Sequence, residues 1–133
     1  MRAVISDTDV ASLIIKKRLP PTLATRLLGT QPLITFVTRA ELIKWAEVRD
    51  WGTSNRRMLD GWLAAIPMLV GDEDVADTFG HLAATAMRRG RPRPTNDSWI
   101  AACCLAHGLS LATLNIKDFE DFRLYHNLEI ITK

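Results

Sequence analysis

Four carboxylates in this chain stand where a strand hands over to a helix or where a helix begins: Asp7, Glu41, Asp97 and Asp118. Asp97 is the most pointed. It lies in the segment 94–104 and opens a helix in which Ile100, Cys104 and His107 recur at helical spacing. Thr95 or Asn96 can cap that helix, and a carboxylate suits the positive end of its dipole. Directly upstream comes the densest basic run of the chain, with Arg88, Arg89, Arg91 and Arg93. Acid beside base at a helix mouth suits chemistry on an anionic substrate. An acid in a first helical turn is also an ordinary stabilising choice, so Asp97 alone decides nothing.

Convergence of the four acids would decide more. Carboxylates a few ångströms apart repel by roughly 4 kcal/mol per close pair at an effective dielectric near 20. Either some hold protons or a cation neutralises them. An all-oxygen set without clustered His or Cys suits Mg²⁺ or Mn²⁺ and not zinc. His81, His107 and His126 lack the spacing of a metal site. An ion of that kind lowers the pKa of an attacking water and stabilises a leaving oxygen.

The elements that must bring the acids together are legible in outline. Apolar, β-branched runs predict strands over 3–6, 33–37, 67–70, 109–113 and 128–131. Between them lie helical stretches. Val10, Leu13 and Ile14 mark the first, and Leu23, Leu27 and Leu28 the second, ended by Gly29. Thr38 and Glu41 have the spacing of a capping box, opening a helix that turns Leu42, Trp45 and Ala46 inward. A turn over 51–54 leads to a stripe of Met58, Leu59, Trp62, Leu63 and Ile66. Asp72 to Asp74 begin a helix that ends in Arg88 and Arg89 before Gly90, and 118–122 form a short helical turn.

Strands alternating with helices predict an α/β fold, a single domain over 1–133 with a central, mostly parallel five-stranded sheet flanked by helices on both faces. At 133 residues, 47% hydrophobic and 24% charged, the chain has the size and composition for one folded core, which excludes disorder. A net charge of +2 names no partner; the local basic run is the informative part. Adjacent Cys103 and Cys104 on a helix diverge, which points to buried thiols in a reducing compartment. With neither a signal peptide nor an apolar span of membrane length, the expectation is a cytoplasmic protein without membrane contact.

In such a sheet, ligands bind at the carboxyl ends of the strands, and Asp7, Glu41, Asp97 and Asp118 all fall on that edge if the crossovers are right-handed. Every helix that follows a strand begins there, and helices favour acidic first turns, so part of this convergence is automatic.

Four segments, taken together and in order, carry a resemblance. Asp7-Thr8-Asp9-Val10 after a strand, Thr38 to Leu42, Asn96 to Ala102, and Thr113 to Phe119 resemble the motifs of PIN-domain ribonucleases. The Gly-Arg-Pro run before Asn96 and Asp97 is similar to that of VapC-type toxins of bacterial toxin–antitoxin pairs. The resemblance implies a Mg²⁺- or Mn²⁺-dependent endoribonuclease, a homodimer, and inhibition by an antitoxin protein whose tail enters the acidic site. Asp7, Glu41, Asp97 and Asp118 would be the catalytic acids, with Asp7 and Asp97 on the metal. Asn115 stands where some members carry an acid, and Asp118 restores one nearby. Thr113, Asn115 and Asn96 would support the site. One metal or two, and Asn115 or Asp118 in the fourth position, stay open.

Two other families share part of the pattern. Asp7-Thr8-Asp9 also resembles the nucleophile motif of haloacid-dehalogenase-type phosphatases, but Lys117 and the acids 72–74 come in the wrong order. A receiver-type signalling domain would need an acceptor Asp after the third strand, where Gly71 and Asp72 open a helix instead. For RNA contact, Arg89, Arg91 and Arg93 are the candidates; Arg91 and Arg93 lie beyond Gly90 and have no helix end to stabilise. For the antitoxin, Trp45 and Trp51 in the predicted helical hairpin are expected to line a groove, with Trp62 in the core.

Overall fold

The apolar runs become five strands, β1 (Arg2–Ser6), β2 (Thr30–Thr35), β3 (Met68–Leu69), β4 (Ser110–Ala112) and β5 (Ile130–Ile131), in a computed structural model that describes all residues 1–133. They form one sheet of order β3-β2-β1-β4-β5, parallel throughout. The helices are α1 (Thr8–Ile15), α2 (Pro21–Arg26), α3 (Phe36–Val48), α4 (Thr53–Ala65), α5 (Glu73–Arg88), α6 (Thr95–His107) and α7 (Ile116–His126). The chain builds outward from β1 through β2 to β3, then crosses back to lay β4 on the other side of β1. The expected α/β sheet is therefore present, and its switch point lies between β1 and β4, where parallel sheets open a crevice at their carboxyl ends.

Buried side chains sit on both faces. Ile5, Ile100, Leu111, Phe119 and Phe122 belong to one cluster; Ala11, Ile34, Leu42, Trp51, Leu59 and Leu63 form another. Cys103 and Cys104 are buried free thiols, as their neighbouring positions on a helix require. Burial pushes Cys103 up to about 11 and Cys104 well above the ordinary thiol value. No helix is long and apolar enough to cross a membrane.

Several boundaries differ from the sequence expectation, each for a local reason. β2 runs from Thr30 to Thr35 because its ladder to β1 begins at Arg2 and Thr30, one residue past the left-handed Gly29. The Thr35 hydroxyl then accepts the Thr38 N–H at 3.2 Å, so α3 starts at Phe36, within the run 33–37 that reads as strand. Thr38 is consequently inside the helix and is not its cap. Glu41 is released from any capping duty.

The start of α6 is also corrected. Neither Thr95 nor Asn96 caps it; Pro94 occupies the cap position, and Ser98 Oγ donates to the Pro94 carbonyl at 2.9 Å. A fixed proline φ pre-organises that entry without a side-chain acceptor. The turn expected over 118–122 is a full helix of 11 residues, stopped by left-handed Asn127. Trp51 is no turn ornament. It is 7% exposed and packs among Ala11, Ile15, Leu42 and Leu59.

Candidate active site

Asp7 sits at the carboxyl end of β1, caps α1 through its Oδ1 acceptance of the Val10 N–H at 2.8 Å, and is 3% exposed. Its other oxygen accepts the Thr113 hydroxyl at 2.5 Å. That hydroxyl itself accepts the Asn115 N–H at 3.0 Å, so its proton is committed to Asp7. The end of β4 thus orients the acid at the end of β1.

Glu41, free on the second turn of α3, accepts the Thr8 hydroxyl at 2.6 Å on Oε1 and the Asn96 amide at 3.3 Å on Oε2. Thr8 Oγ1 lies 3.0 Å from Thr38 Oγ1. Asp97 comes from the first turn of α6, which is locked onto α5 by Trp99: its ring stacks on Phe79 at 3.9 Å and meets Phe36 edge-on at 5.8 Å. A Cβ at Gly71 would stand 3.0 Å from the Phe36 ring, so glycine permits this close approach. Asp118 enters from the first turn of α7, and the Asn115 amide donates to Asp9.

These groups share one cleft of about 150 Å³, lined by Asp7, Thr8, Asp9, Glu41, Asp97, Asn115 and Asp118, with Trp45 and Ile100 among the walls. Its electrostatics follow from crowding and burial. Burial foremost pushes Asp7 up to about 7; the Thr113 and Val10 hydrogen bonds oppose it, and the charges of Asp9 and Asp97 add to it. Asp97 rises to about 6, first by burial and then by the charges of Asp118 and Glu41, with Arg93 pulling the other way. A larger cavity of about 230 Å³ near α2, lined by Val4, Ile14, Leu19 and Leu27, holds no titratable group and no comparable chemistry.

The donor set is all oxygen, as a hard divalent cation requires, and two of its members resist losing their protons without one. No three of its groups form a ready-made ligand cage.

Each residue singled out in the sequence can now be placed. Asp7, Glu41, Asp97, Asn115 and Asp118 converge in the cleft; Thr113 lies beneath it and Asn96 on its rim. Both candidates for the fourth position, Asn115 and Asp118, line the same cleft. The arginines do not converge as a free basic run. Arg91 Nε donates to the nearly buried Asp121 of α7 at 3.0 Å, and Arg93 lies 4.0 Å from the same carboxylate. Arg91's guanidinium holds Asp121 below the usual carboxylate range. Arg89 lies over the Tyr125 ring at 4.0 Å. The expectation that Arg91 and Arg93 have no structural task is therefore corrected: an acid 28 residues beyond Arg93 in the chain engages both.

The tryptophans exchange places. Trp51 is core, while Trp62 is half-buried and lines a surface groove between α1 and α4 with Ile14, Ile15 and Met58, rimmed by Lys17 and Arg57. Trp45 borders the acidic cleft and shares no groove with Trp51. Thr8 and Asp9 were given no task in the site from sequence, and Thr38 only a cap. The signal for Thr8 and Asp9 was available in the Asp7-Thr8-Asp9 string; Thr38 was misread as a cap because the helix start was placed three residues late.

The model of the PIN domain family matches residues 4–123. Ribonuclease VapC1 of Haemophilus influenzae (strain R2866) is 30% identical over 118 residues, covering 86% of this chain and 87% of that protein. The tRNA(fMet)-specific endonuclease VapC of Shigella flexneri is 31% identical over 116 residues, with the same coverage of 86% and 87%. Among solved structures, VapBC-1 from nontypeable Haemophilus influenzae superimposes with a TM-score of 0.80 at 27% identity, covering 96% of each chain. DNA-bound VapBC from Salmonella typhimurium gives 0.80 at 27% identity, covering 99% of this chain and 98% of that one.

Proposed function

The chain belongs to the PIN domain family, and from that premise we propose that it is a metal-dependent endoribonuclease, the toxin of a toxin–antitoxin pair. The observation that carries this reading is the meeting of Asp7, Glu41, Asp97 and Asp118 in one cleft at the sheet's switch point. The relatives named ribonuclease VapC1 and tRNA(fMet)-specific endonuclease VapC support the substrate class. A phosphatase or receiver reading has no such support.

Asp7 and Asp97 are the residues to hold Mg²⁺ or Mn²⁺, which when bound would supply an acidified water and charge stabilisation at the leaving oxygen. The chain's own groups do the rest. The Thr113 hydroxyl aims one Asp7 oxygen and the Val10 N–H the other. Thr8 and Asn96 hold the Glu41 carboxylate, so it can accept a proton from an attacking water without swinging away. Asp118 adds charge and Asn115 a fixed amide dipole at the far wall. A cleft this small admits a phosphodiester from a splayed strand and not a duplex, which favours a single-stranded loop of a structured RNA. Arg93 is the one of the three arginines whose charge is felt at Asp97, while Arg91 and Arg89 are engaged at Asp121 and Tyr125 of α7.

The neighbouring VapBC structures are toxin–antitoxin complexes. For this chain we place the antitoxin's apolar face in the groove of Ile14, Ile15, Met58 and Trp62. From Ile14 back to Asp9 along α1 is about 8 Å at 1.5 Å per residue, so a tail leaving the groove reaches the acids directly. A basic residue there would compete with the metal for the same carboxylates. The reading includes a homodimer, for which exposed Leu124 and Tyr125 on α7 offer an apolar surface.

The test is release of RNA fragments by the purified chain with Mg²⁺ or Mn²⁺, suppressed by EDTA and restored by added metal. Sequencing the cut ends from wild-type and Asp97→Asn digests identifies the cleavage site. No fragments with either metal would refute the reading.

A further inference from the structure

Glu41 and Trp45 on α3 and Arg49 at its C-cap recur at intervals of four, which places acid, aromatic ring and cation in a row about 6 Å apart. Glu41 and Trp45 both line the acidic cleft. Trp45 is half-buried, resting on the core around Leu42 and Ala46, and the Arg49 guanidinium covers its ring at 4.2 Å. Arg49 is exposed and makes no side-chain hydrogen bond and no ion pair. A large indole stands with Ile100 and Phe119 as the apolar walls of a cleft that also holds five carboxylates, and the acids' chemistry alone makes no use of its ring. The Arg49 guanidinium over its ring, with no carboxylate partner, adds a second unused group at the same spot.

Charge supplies the reason. Five carboxylates line the cleft, so a polyanionic strand is repelled from it unless cations stand on its rims. Arg93 stands on the α6 side, where it acts on Asp97. The only cation on the α3 side that is both unpaired and attached to a cleft-lining group is Arg49. A nucleobase and a guanidinium are both flat, and either can lie on an indole face.

We infer that Trp45 and Arg49 form a single-nucleotide binding step beside the acidic cleft: the base next to the cut bond stacks on Trp45, displacing the Arg49 guanidinium, which moves to the adjoining phosphate. The strand then runs from Arg93 across the acids to α3. This rests on the endoribonuclease reading and names the substrate contact that reading lacks. Trp45 and Arg49 are positioning residues; neither touches the reacting phosphorus.

The experiment is a cycle between the protein and the RNA. On an RNA cut by the wild type, Trp45→Ala should lower kcat/KM by roughly 5- to 150-fold, the range for losing one stacked base. Trp45→Phe should restore most of it. Making the nucleotide beside the cut abasic should shrink the Trp45→Ala loss several-fold, because there is no longer a base to stack. Binding to the cleavage-deficient Asp97→Asn protein should lose about 0.7 of salt slope with Arg49→Ala and none with Arg49→Lys. Melting curves check that each variant folds, and Trp45→Phe with the Arg49 pair decide the matter if Trp45→Ala does not. An equal loss on intact RNA and on RNA abasic at either flanking position would overturn the stacking step. So would full activity of Trp45→Ala and Trp45→Phe with weakened antitoxin inhibition, which would make Trp45 a protein contact. A wild type that cuts no RNA refutes the endoribonuclease reading itself and this inference with it, whereas active wild type with indifferent Trp45 and Arg49 variants refutes this inference alone.

Discussion

Asp7→Asn should destroy activity and, in the absence of metal, make the protein more stable at neutral pH. Asp7 is buried at 3% exposure, and burial lifts its carboxyl from an ordinary 3.8 to about 7 in the folded state. Between those values the folded chain holds a proton that the unfolded chain has released. Stability therefore falls as pH rises through that window, by 1.36 kcal/mol for each unit of the gap. A gap of about three units costs about 4 kcal/mol by pH 8, on the order of 10 °C in Tm for a domain of this size. The neutral amide avoids this cost. Its oxygen can keep the Val10 N–H, and its N–H₂ can donate to the Thr113 hydroxyl oxygen in place of the bond now made at 2.5 Å. Thermal melts of wild type and Asp7→Asn in EDTA from pH 4 to pH 8 give the check. The curves should meet near pH 4, where the folded wild type's Asp7 is as neutral as the amide, and separate as pH rises, with the variant higher. Added Mg²⁺ should then raise the wild type more than the variant, since binding to the native state adds stability. Parallel curves across the range, or a variant that melts below the wild type at pH 8, would show that Asp7 carries no burial strain and would remove the electrostatic case for a cation.

Asp97→Asn should abolish RNA cleavage with its circular dichroism intact and its melting temperature not lowered, because Asp97 accepts no hydrogen bond that the helix needs and burial already disfavours its charge; undiminished cleavage would sink the metal-site assignment. Trp51→Ala should cost about 3–5 kcal/mol in urea unfolding as a core deletion, and an unmoved midpoint would contradict its place among Ala11, Ile15 and Leu59. Trp62→Ala should weaken antitoxin inhibition by at least tenfold, on the scale of a truncated interface aromatic, with a smaller change in melting; inhibition at full strength would empty the groove of its proposed occupant. Thr113→Val removes the hydroxyl that lowers the Asp7 pKa, so the acid limb of the pH–rate profile should move to higher pH; an unmoved limb would mean Asp7 does not set it.

Much of the site was legible because its residues lie at element boundaries, and boundaries leave strong local marks. Asp7 follows a short apolar run, Asp97 follows Pro94 at the head of an amphipathic stretch, and Thr113 ends one. Once the alternation of strands and helices implies a parallel sheet, those positions fall on one edge by geometry. Glu41 was harder. Thr38 and Glu41 fit a capping box in the linear chain, and only the β1–β2 register, with Thr35 taking the cap, shows that the carboxylate is free.

The amino-acid sequence by itself determined the order in which strands and helices alternate, though not all their boundaries, the parallel sheet that follows, and the acids that gather at its edge, because hydrophobic period and turn chemistry act over a few residues. The tertiary structure alone decided what each long side chain does. Asp121 engages Arg91 and Arg93 across 30 and 28 residues. Trp51 enters the core and Trp62 stays at the surface, although both sit in the same hairpin. Arg49 lies on Trp45 beside the acids. Such contacts depend on where distant helices cross, and the free energy of a charge or an aromatic ring is set by the neighbours it meets there, which local spacing does not encode.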